Sequence, residues 1–595
     1  MIQAKSRKMS KSSSRRDESP LPVQSLSELP QDALLRGRPA PWVQTWKERF
    51  LPDSSSSDQA KLGRYAIAYN APPRALSRGK QQQVNGSADQ EAEEEGTPPQ
   101  LGLSPIVFGA GTFGFGQYSM EDLMQSAEPV RGECTHARFS YHHALTHLYF
   151  TALRLAFRYG INTFDTSPYY ANSETILGRA LRVLQPEHPR SSYYIFTKCG
   201  RYGPKCSQFD YSPRRVRRSV EESIVKLGDC GWLDNVFMHD VEFVCDRVGA
   251  SNEAGMGHAD ALLPEDDLKG KATRRDFGLE ETFASASKIH GKGDEKVLEA
   301  IRELFKLKDE GKIKMVGISG YPLPVLLRIA RMVATNEPYR PIDSLLSYSN
   351  HTLHSDLLPG YISLLSRNPW HFPGAPADIS SSKHAENWKA PFIMNASPFS
   401  MGLLTEAGPP LWHPCSDQLR VARQDSIHVL RGSGLLAGPP PANPKIRGTA
   451  RHPTLPKIQT PTSLAETALQ YGIRGSEYVK HDAALAQGKN DGKVPRLRTL
   501  VGLANVEEVH IAVEAYRTLL AGAAASSDGI GEELVCPPPP MDEDDGEQAK
   551  VQEELTYSKR SQILKEGEEA VVDIMKQHGI FGESWQSPPT SAMDV

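Results

Sequence analysis

Short apolar runs alternate with amphipathic segments through the middle of the chain. Eight of these runs are rich in β-branched and aromatic residues, a composition that predicts buried strands. They lie at residues 106–110, 161–165, 193–198, 233–239, 315–319, 342–348, 392–397 and 497–503. Helical patterns fall between most of them, and a succession of β-then-α units predicts parallel strands. We therefore expect an α/β fold, a (β/α)8 TIM barrel.

An open, doubly wound sheet is the alternative interpretation of the same alternation. Sheets of that kind usually carry a glycine-rich turn of the form GxGxxG after the first strand. The corresponding segment here, "GAGTFGFG" at residues 109–116, does not have that spacing. The closed barrel is therefore the prediction.

The segment "SPRRVRRSVEESIVKLG" has the periodicity of an amphipathic helix, and its apolar face consists of Val216, Val220, Ile224 and Leu227. Ser212 and Pro213 suit the N-cap and the first helical position, and Gly228 suits the C-terminal stop. Another helix is predicted to begin at Ser173 and to be interrupted at Gly178.

Composition divides the chain into a barrel and solvated arms. Residues 1–100 contain "SSSS", "QQQ" and "EAEEEGTPP" with few apolar clusters, so we expect a disordered N-terminal arm. The barrel is assigned to residues 101–522. An acidic, Pro-rich linker is assigned to 523–550, and a C-terminal helix and tail to 551–595.

Three long polar inserts interrupt the barrel pattern, near residues 115–143, 244–293 and 405–461. They follow the first, fourth and seventh predicted strands, so they emerge at the carboxyl-end face, where barrels carry their sites. Both lids and disordered additions are consistent with such inserts, and we expect disorder for most of their length.

Bulk composition excludes several classes of protein. The formal net charge of -4 and the pI near 6.5 give no reason to expect a nucleic-acid or membrane partner. No segment approaches the ~20 consecutive apolar residues of a membrane helix. The 7 cysteines include no CxxC pair, which indicates a reducing compartment and argues against a disulfide framework or a structural zinc site. We expect a cytoplasmic protein.

Four polar side chains follow the ends of successive predicted strands. Asp165, Lys198 and His239 end the second, third and fourth strands, and Tyr170 follows Asp165 by five residues. Strand ends converge at one mouth of a barrel. The ordinary tyrosine pKa of ~10 is too high for proton transfer near neutrality, and an adjacent ammonium lowers it. The set predicts a hydride-transfer enzyme with a proton shuttle, although each residue alone is typical of a structural role.

The motifs "FDTSPYYANSE", "IFTKCG", "DNVFMHDVEF" and "MVGISG" resemble the aldo-keto reductase superfamily. The likeness is greatest to its sugar-dehydrogenase branch, which includes fungal D-arabinose and plant L-galactose dehydrogenases, and it runs in blocks from about residue 105 to 522. The resemblance implies a catalytic tetrad of Asp165, Tyr170, Lys198 and His239. It selects Tyr170 rather than Tyr169 as the proton donor or acceptor.

The same resemblance implies an NAD or NADP cofactor that is bound without a Rossmann loop. The residues it assigns to the cofactor are Gly111, Thr112, Ser319, Ser397, Phe399, Met401, Leu403, Gly502, Asn505 and Glu508. Ser319 is expected to hold the carboxamide, and the segment from Ser397 to wrap the pyrophosphate, largely through backbone groups. Ser347 or Asn350 is the expected substitute for a glutamine that Leu346 replaces.

Glu508 decides the predicted choice of dinucleotide. Relatives that bind NADP carry an arginine at its place. A carboxylate repels a 2′-phosphate but accepts hydrogen bonds from ribose hydroxyls, so NAD is predicted to be preferred. An equally open interpretation is that Glu507 and Glu508 only complement the amino terminus of a helix.

By resemblance, the substrate is an aldose in its ring form, oxidised at C1 to a lactone. Strand-end loops offer polar partners and apolar walls for such a sugar, namely Asp240, Tyr348, Asn350, His351, Phe113 and Trp585. The alternatives are a dehydrogenase of other hemiacetals such as pyridoxal or L-fucose, a general aldehyde reductase, and a non-catalytic barrel acting as a binding subunit. The oligomeric state stays open.

Overall fold

A computed structural model describes residues 103–114, 149–248, 256–377, 379–410, 413–432, 462–474, 497–528 and 557–585. The predicted N-terminal arm, the first insert and the linker from residue 529 onward lie outside these residues. The predictions made for those three segments therefore stay predictions.

Eight parallel strands close into a barrel in the order β1-β10-β9-β6-β5-β4-β3-β2. The barrel strands are β1 Ile106–Gly109, β2 Thr163–Asp165, β3 Tyr194–Cys199, β4 Leu233–Met238, β5 Ile313–Gly320, β6 Ser344–Tyr348, β9 Phe392–Ala396 and β10 Leu497–Gly502. The ring closes where Gly109 pairs with Gly502 in parallel register. This confirms the predicted (β/α)8 barrel and excludes the open sheet.

Two short strands, β7 (His351–Thr352) and β8 (Ser355–Asp356), form an antiparallel hairpin after β6. The helices, in chain order, are α1 (149–158), α2 Ser173–Leu184, α3 Pro213–Lys226, α4 Leu268–Asp276, α5 Phe283–Ala286, α6 Lys292–Asp309, α7 Leu323–Thr335, α8 Leu358–Leu365, α9 Ile379–Glu386, α10 Asp417–Leu430, α11 Leu464–Arg474, α12 Val506–Asp528 and α13 Tyr557–Gln577. Nowhere in the described ranges does a helix combine the length and apolarity that a membrane crossing requires.

Alternation along the strands decides which side chains fill the barrel. Val107, Phe196, Phe237 and Met394, from four different strands, belong to one buried cluster, as side chains that point inward must. Lys198 lies two residues beyond Phe196. A period of two therefore places Lys198 on the same inner face, at the carboxyl end of its strand.

Helix α3 begins and ends where the sequence predicts. Its N-cap is Ser212 and Pro213 takes the first position, while Gly228 follows the C-cap with a φ of +89°. A positive φ is open to glycine because it has no Cβ to clash with the backbone.

The predicted interruption of α2 at Gly178 is wrong, because the helix runs on to Leu184. Gly178 instead lets α2 approach α3 closely. A Cβ at this position would lie 2.2 Å from the carbonyl oxygen of Lys226. The glycine is therefore a contact point between two helices rather than a helix end.

The described parts of the second and third inserts are more ordered than expected. The second insert contains the helices α4 and α5, and its His258 carbonyl accepts a hydrogen bond of 2.8 Å from the Tyr361 hydroxyl. The third insert contains α10, which packs against α13. Both segments are polar on average, but each contains apolar residues that pack against other parts of the molecule.

Helix α13 docks on the outside of the barrel through an apolar face that includes Ala570, Val571 and Ile574. On the same helix, Glu568 accepts a 2.8 Å hydrogen bond from Arg474 of α11. Burial raises the pKa of Glu568 to about 7 against the opposing effect of Arg474.

We predict that Gly178→Ala lowers the free energy of unfolding by about 2 kcal/mol, because overpacking against a backbone carbonyl outweighs the better helix propensity of alanine. Urea unfolding measures the change. Arg179→Ala, an exposed position on the same helix, is the matched control, with an expected effect within about 0.5 kcal/mol. Equal effects of the two variants would contradict the packing role of Gly178.

The raised pKa of Glu568 predicts a pH-dependent stability. Its folded-state pKa of about 7 exceeds the ordinary 4.5, so the folded state binds this proton more tightly. The free energy of unfolding therefore falls by up to about 3 kcal/mol as the pH rises from about 4.5 to about 7. Glu568→Gln is expected to remove this slope in urea titrations at several pH values, whereas Glu566→Gln, an exposed control, keeps it.

Candidate active site

The barrel places three of the predicted side chains at neighbouring strand ends. Asp165 is the last residue of β2, Lys198 lies near the end of β3, and His239 directly follows β4. All three are buried. The Lys198 Nζ donates to Asp165 Oδ2 at 2.5 Å and to the Thr166 carbonyl at 3.0 Å. The ammonium is thus held at a fixed point of the barrel mouth.

Tyr170 reaches this point from the turn after β2. Its backbone N–H donates to the Ser167 carbonyl at 3.0 Å, which turns the chain back toward the barrel. The Lys198 Nζ lies 5.0 Å from the centroid of the Tyr170 ring. The His239 ring lies 5.9 Å from the same ring, nearly perpendicular to it. The structure therefore brings the four residues together in one site.

Electrostatics differ sharply between the acid and the imidazole of this group. Burial raises the pKa of Asp165, and the neighbouring Lys198 partly offsets that effect. Burial, helped by the cations Lys198 and Arg201, holds the pKa of His239 well below its usual value. His239 is therefore a neutral imidazole near pH 7, able to donate a hydrogen bond from one ring nitrogen and accept one at the other.

Two neighbours of His239 were not predicted from the sequence. The Ser167 hydroxyl lies 3.2 Å from His239 Nδ1, and the buried guanidinium of Arg201 forms an ion pair with Asp240. The signal for both is present in "DTSP" and "KCGR", polar residues within three positions of a strand end. The contacts of Ser167 and Arg201 join residues that follow different strands, so the sequence alone does not show them.

Asp240 is not a free polar side chain, since its carboxylate is buried and paired with Arg201. Its predicted contact with a sugar stays a prediction. Tyr348 packs on Tyr321 with ring centroids 4.6 Å apart. His351 pairs with Asp356 across the hairpin at 2.6 Å. These side chains serve the local structure of the loops that carry them.

The two predicted apolar walls also belong to the core. Phe113 is buried and stacks on Tyr149 at 4.3 Å. Trp585 is buried between His354 and His413, at ring distances of 5.0 and 4.8 Å. Both aromatic rings therefore stabilise the molecule rather than line an open pocket.

The residues assigned to a cofactor occupy the other part of the barrel rim. Ser319 lies in β5, Ser397 follows β9, Gly502 ends β10, and Gly111 and Thr112 follow β1. Those strands are consecutive around the barrel except for β6, which lies between β5 and β9. The tetrad comes from β2, β3 and the residue after β4. The two sets therefore divide the rim into adjoining arcs.

The loop after β9 has an unusual backbone. Ser397, Ser400 and Met401 all have positive φ, between 49° and 59°. The Ser397 hydroxyl accepts a 3.1 Å hydrogen bond from the Met401 N–H. The side chains of Met401 and Leu403 are buried in the cluster that holds α13. Their side chains thus anchor the loop, which leaves backbone groups as the means of contact with a ligand. Phe399 packs against the same cluster.

Glu508 is part of the N-terminal cap of α12. The Asn505 side chain accepts a 2.9 Å hydrogen bond from the Glu508 N–H. The Glu508 carboxylate accepts from the Ala504 N–H at 2.6 Å and from the Asn505 amide at 3.1 Å. The arrangement resembles a capping box, except that the carboxylate accepts from the N–H of the residue before Asn505. The capping interpretation of Glu508 therefore has direct geometric support.

The rim has features that fit a nicotinamide dinucleotide. A Cβ at Gly111 would lie 3.2 Å from the Tyr170 ring, so the backbone here passes close to the phenol. The Asn350 Oδ1 is buried and has no hydrogen-bond partner within the described part of the chain. An acceptor of this kind suits the amide hydrogens of a carboxamide. Ser319 has its hydroxyl 3.3 Å from the Met238 carbonyl, beside the tetrad.

The closed parallel barrel carries Asp, Tyr, Lys and His at neighbouring strand ends. Comparison with known proteins agrees with this fold and this group of side chains. Residues 139–355 match the model of the Aldo/keto reductase family. Over these residues the chain is similar to that family, in agreement with the resemblance of its motifs.

Two relatives place the resemblance in a sugar-dehydrogenase branch. L-galactose dehydrogenase of Arabidopsis thaliana is 32% identical over 284 residues, which are 47% of this chain and 65% of that protein. D-arabinose 1-dehydrogenase of Saccharomyces cerevisiae is 34% identical over 269 residues, 45% of this chain and 59% of that protein. The chain thus matches less than two thirds of the length of either relative.

Among solved structures, an aldo-keto reductase from Bacillus halodurans aligns with 71% of this chain and 92% of its own, at 16% identity and a TM-score of 0.34. The fold rests on the strand order and register of the barrel itself.

Breaking the buried ion pair of the site is expected to destabilise the protein. In Asp165→Asn the Lys198 ammonium keeps no anionic partner, and we predict a free energy of unfolding lower by about 3 kcal/mol in urea. Adding Lys198→Met is expected to restore part of that loss, because no buried charge is then left unpaired. Asp229→Asn breaks an exposed pair with Arg182 and should change the value by less than about 1 kcal/mol. A double variant less stable than Asp165→Asn would argue against the pair.

Proposed function

We propose that this chain is an NAD(P)-dependent oxidoreductase that oxidises an aldose at C1 to the corresponding lactone. The observation that carries the proposal is the position of the Lys198 ammonium. It is bonded to Asp165 at 2.5 Å and lies 5.0 Å from the Tyr170 ring. A cation there favours the phenolate, the form that accepts a proton.

In the proposed reaction Tyr170 takes the proton of the anomeric hydroxyl. Lys198 stabilises the phenolate by Coulombic attraction, and Asp165 keeps the ammonium in place. A dinucleotide, when bound, would supply the acceptor for the hydride that leaves C1. His239 donates a hydrogen bond to the oxygen that becomes the lactone carbonyl, which its neutral state permits.

The substrate class is supported by the names of the two relatives, an L-galactose dehydrogenase and a D-arabinose 1-dehydrogenase. Both act on aldoses by name, and the motifs that surround the tetrad are those of their branch. The acidity of the anomeric hydroxyl supports oxidation at C1, because a ring-form aldose carries at that carbon both the hydroxyl proton and the hydride that the proposed reaction removes.

The preference for NAD over NADP is likewise part of the proposal. Glu508 presents a carboxylate at the amino terminus of α12, where a 2′-phosphate would meet an anion. Both oxygens already accept hydrogen bonds from the cap, which fixes the charge at this place. Fixed negative charge at the expected adenosine end disfavours the doubly charged phosphate more than the ribose hydroxyl.

One assay tests both parts of the proposal. Full-length protein is given NAD or NADP with D-arabinose, L-galactose, L-fucose or pyridoxal, and the absorbance of reduced nicotinamide is followed. We predict turnover with an aldose and NAD, and a loss of about 10²- to 10⁴-fold in kcat for Tyr170→Phe with cofactor binding retained.

Tyr339→Phe, the same chemical change at a half-buried position away from the tetrad, is the matched control and is expected to keep wild-type activity. Undiminished turnover in Tyr170→Phe would eliminate the proton shuttle. Faster turnover with NADP would overturn the argument from Glu508, and turnover of pyridoxal alone would replace the aldose as substrate.

A further inference from the structure

A buried guanidinium lies against the tetrad without belonging to it. Arg201 is 2% exposed and forms an ion pair with Asp240. It also donates to the Tyr169 hydroxyl at 3.1 Å, and its Cζ stands 4.0 Å above the Tyr169 ring. Neither Arg201 nor Asp240 has a part in the proposed proton transfer. Burying a charge costs free energy, so a pair of buried charges beside the candidate active site suggests a role for the pair.

The reason lies in the position of Asp240 relative to His239. Asp240 Oδ2, the atom that binds Arg201, is 3.7 Å from His239 Nε2, just beyond hydrogen-bond distance. The other ring nitrogen, Nδ1, lies 3.2 Å from the Ser167 hydroxyl. Nε2 is therefore the nitrogen through which His239 can reach a substrate oxygen. A carboxylate is a stronger acceptor than that oxygen and stands within reach of the same N–H.

We propose that Arg201 is a positioning residue that withholds the Asp240 carboxylate from His239 and so keeps Nε2 available to the substrate. The inference rests on the proposed function, in which His239 holds the reacting oxygen. The Tyr169 hydroxyl and ring also contact the guanidinium. These contacts hold the ion pair between Arg201 and Asp240 in one geometry.

The charges around His239 are consistent with this role. The groups around it come from β3 and from the segments after β2, β3 and β4. They are Tyr169, Tyr170, Lys198, Arg201, Tyr211, Asp240 and Glu242. The two cations add to burial in lowering the pKa of His239. Removing Arg201 takes away one cation and leaves the Asp240 anion unopposed. Both changes raise the pKa of His239, so it becomes charged at a higher pH.

The test compares Arg201→Gln with Arg201→Lys in the full-length protein, by kcat and KM for the aldose as a function of pH. Arg201→Gln is expected to lose about 10-fold or more in kcat near pH 7 and to gain an acidic limb between about pH 6 and 8. Arg201→Lys keeps a cation beside Asp240 and is expected to lack that limb, as is the wild type.

Two further variants separate positioning from a structural role. Arg201→Gln combined with Asp240→Asn has no carboxylate to capture His239, so the acidic limb is expected to move to lower pH and kcat to recover several-fold. Arg328→Gln breaks an equally buried pair with Asp294 outside the site, and is expected to lower the melting temperature without an acidic limb. An acidic limb in Arg328→Gln, its absence from Arg201→Gln, or no recovery in the double variant would overturn the proposal.

A readout that needs no turnover keeps this inference distinct from the proposed function. With ¹³C-labelled histidine, the His239 signal, identified by its loss in His239→Gln, is titrated in wild type and in Arg201→Gln. An upward shift in its titration midpoint of at least one pH unit is expected, even when no sugar is oxidised. An unchanged midpoint would refute the role of Arg201. No turnover by the wild type, together with the shift, would refute only the proposed function.

Discussion

The buried ion pair between Asp165 and Lys198 is the constraint on which the site depends. Two charges with 2% of their side-chain surface exposed are stable only while they remain together. The barrel keeps them together because β2 and β3 are hydrogen-bonded neighbours in parallel register. Tyr170 and His239 then take their places around an ammonium that cannot move away. A site that begins from a fixed cation has a fixed centre of charge, which is what the proposed proton transfer to Tyr170 requires.

A second principle is the division of the barrel rim. The tetrad comes from the adjacent strand ends β2 to β4, and the residues assigned to a dinucleotide come from the arc between β5 and β1. Each arc is stabilised by a different set of neighbouring residues. Arg201 and Asp240 support the first, while the buried side chains of Met401 and Leu403, covered by α13, support the loop of the second. Outer helices thus contribute to the site through the loops they hold.

Periodicity predicted the barrel well because the strands are buried on both faces, while most of the helices are buried on one. The same regularity made the ordered quartet readable, since residues at strand ends converge in any barrel. The errors have physical causes. In the sequence Gly178 resembles a helix stop, but in the structure it is the point where α2 closely approaches α3. Asp240 resembles a free polar residue, yet Arg201 binds it. The second insert resembles a solvated loop, yet its His258 carbonyl accepts a hydrogen bond from Tyr361.

The sequence by itself determined the strands, the order of the chemical groups along them and the family resemblance, because these follow from local periodicity and spacing. Only the tertiary structure decided which charges are paired and which nitrogen of His239 lies beside the Ser167 hydroxyl. Those facts depend on distances between residues far apart in the chain, such as the 3.7 Å from His239 Nε2 to Asp240 and the contact of Arg201 with Tyr169. The interaction energy of two charges falls with the distance between them and rises with their burial. The order of residues along the chain specifies neither that distance nor that burial.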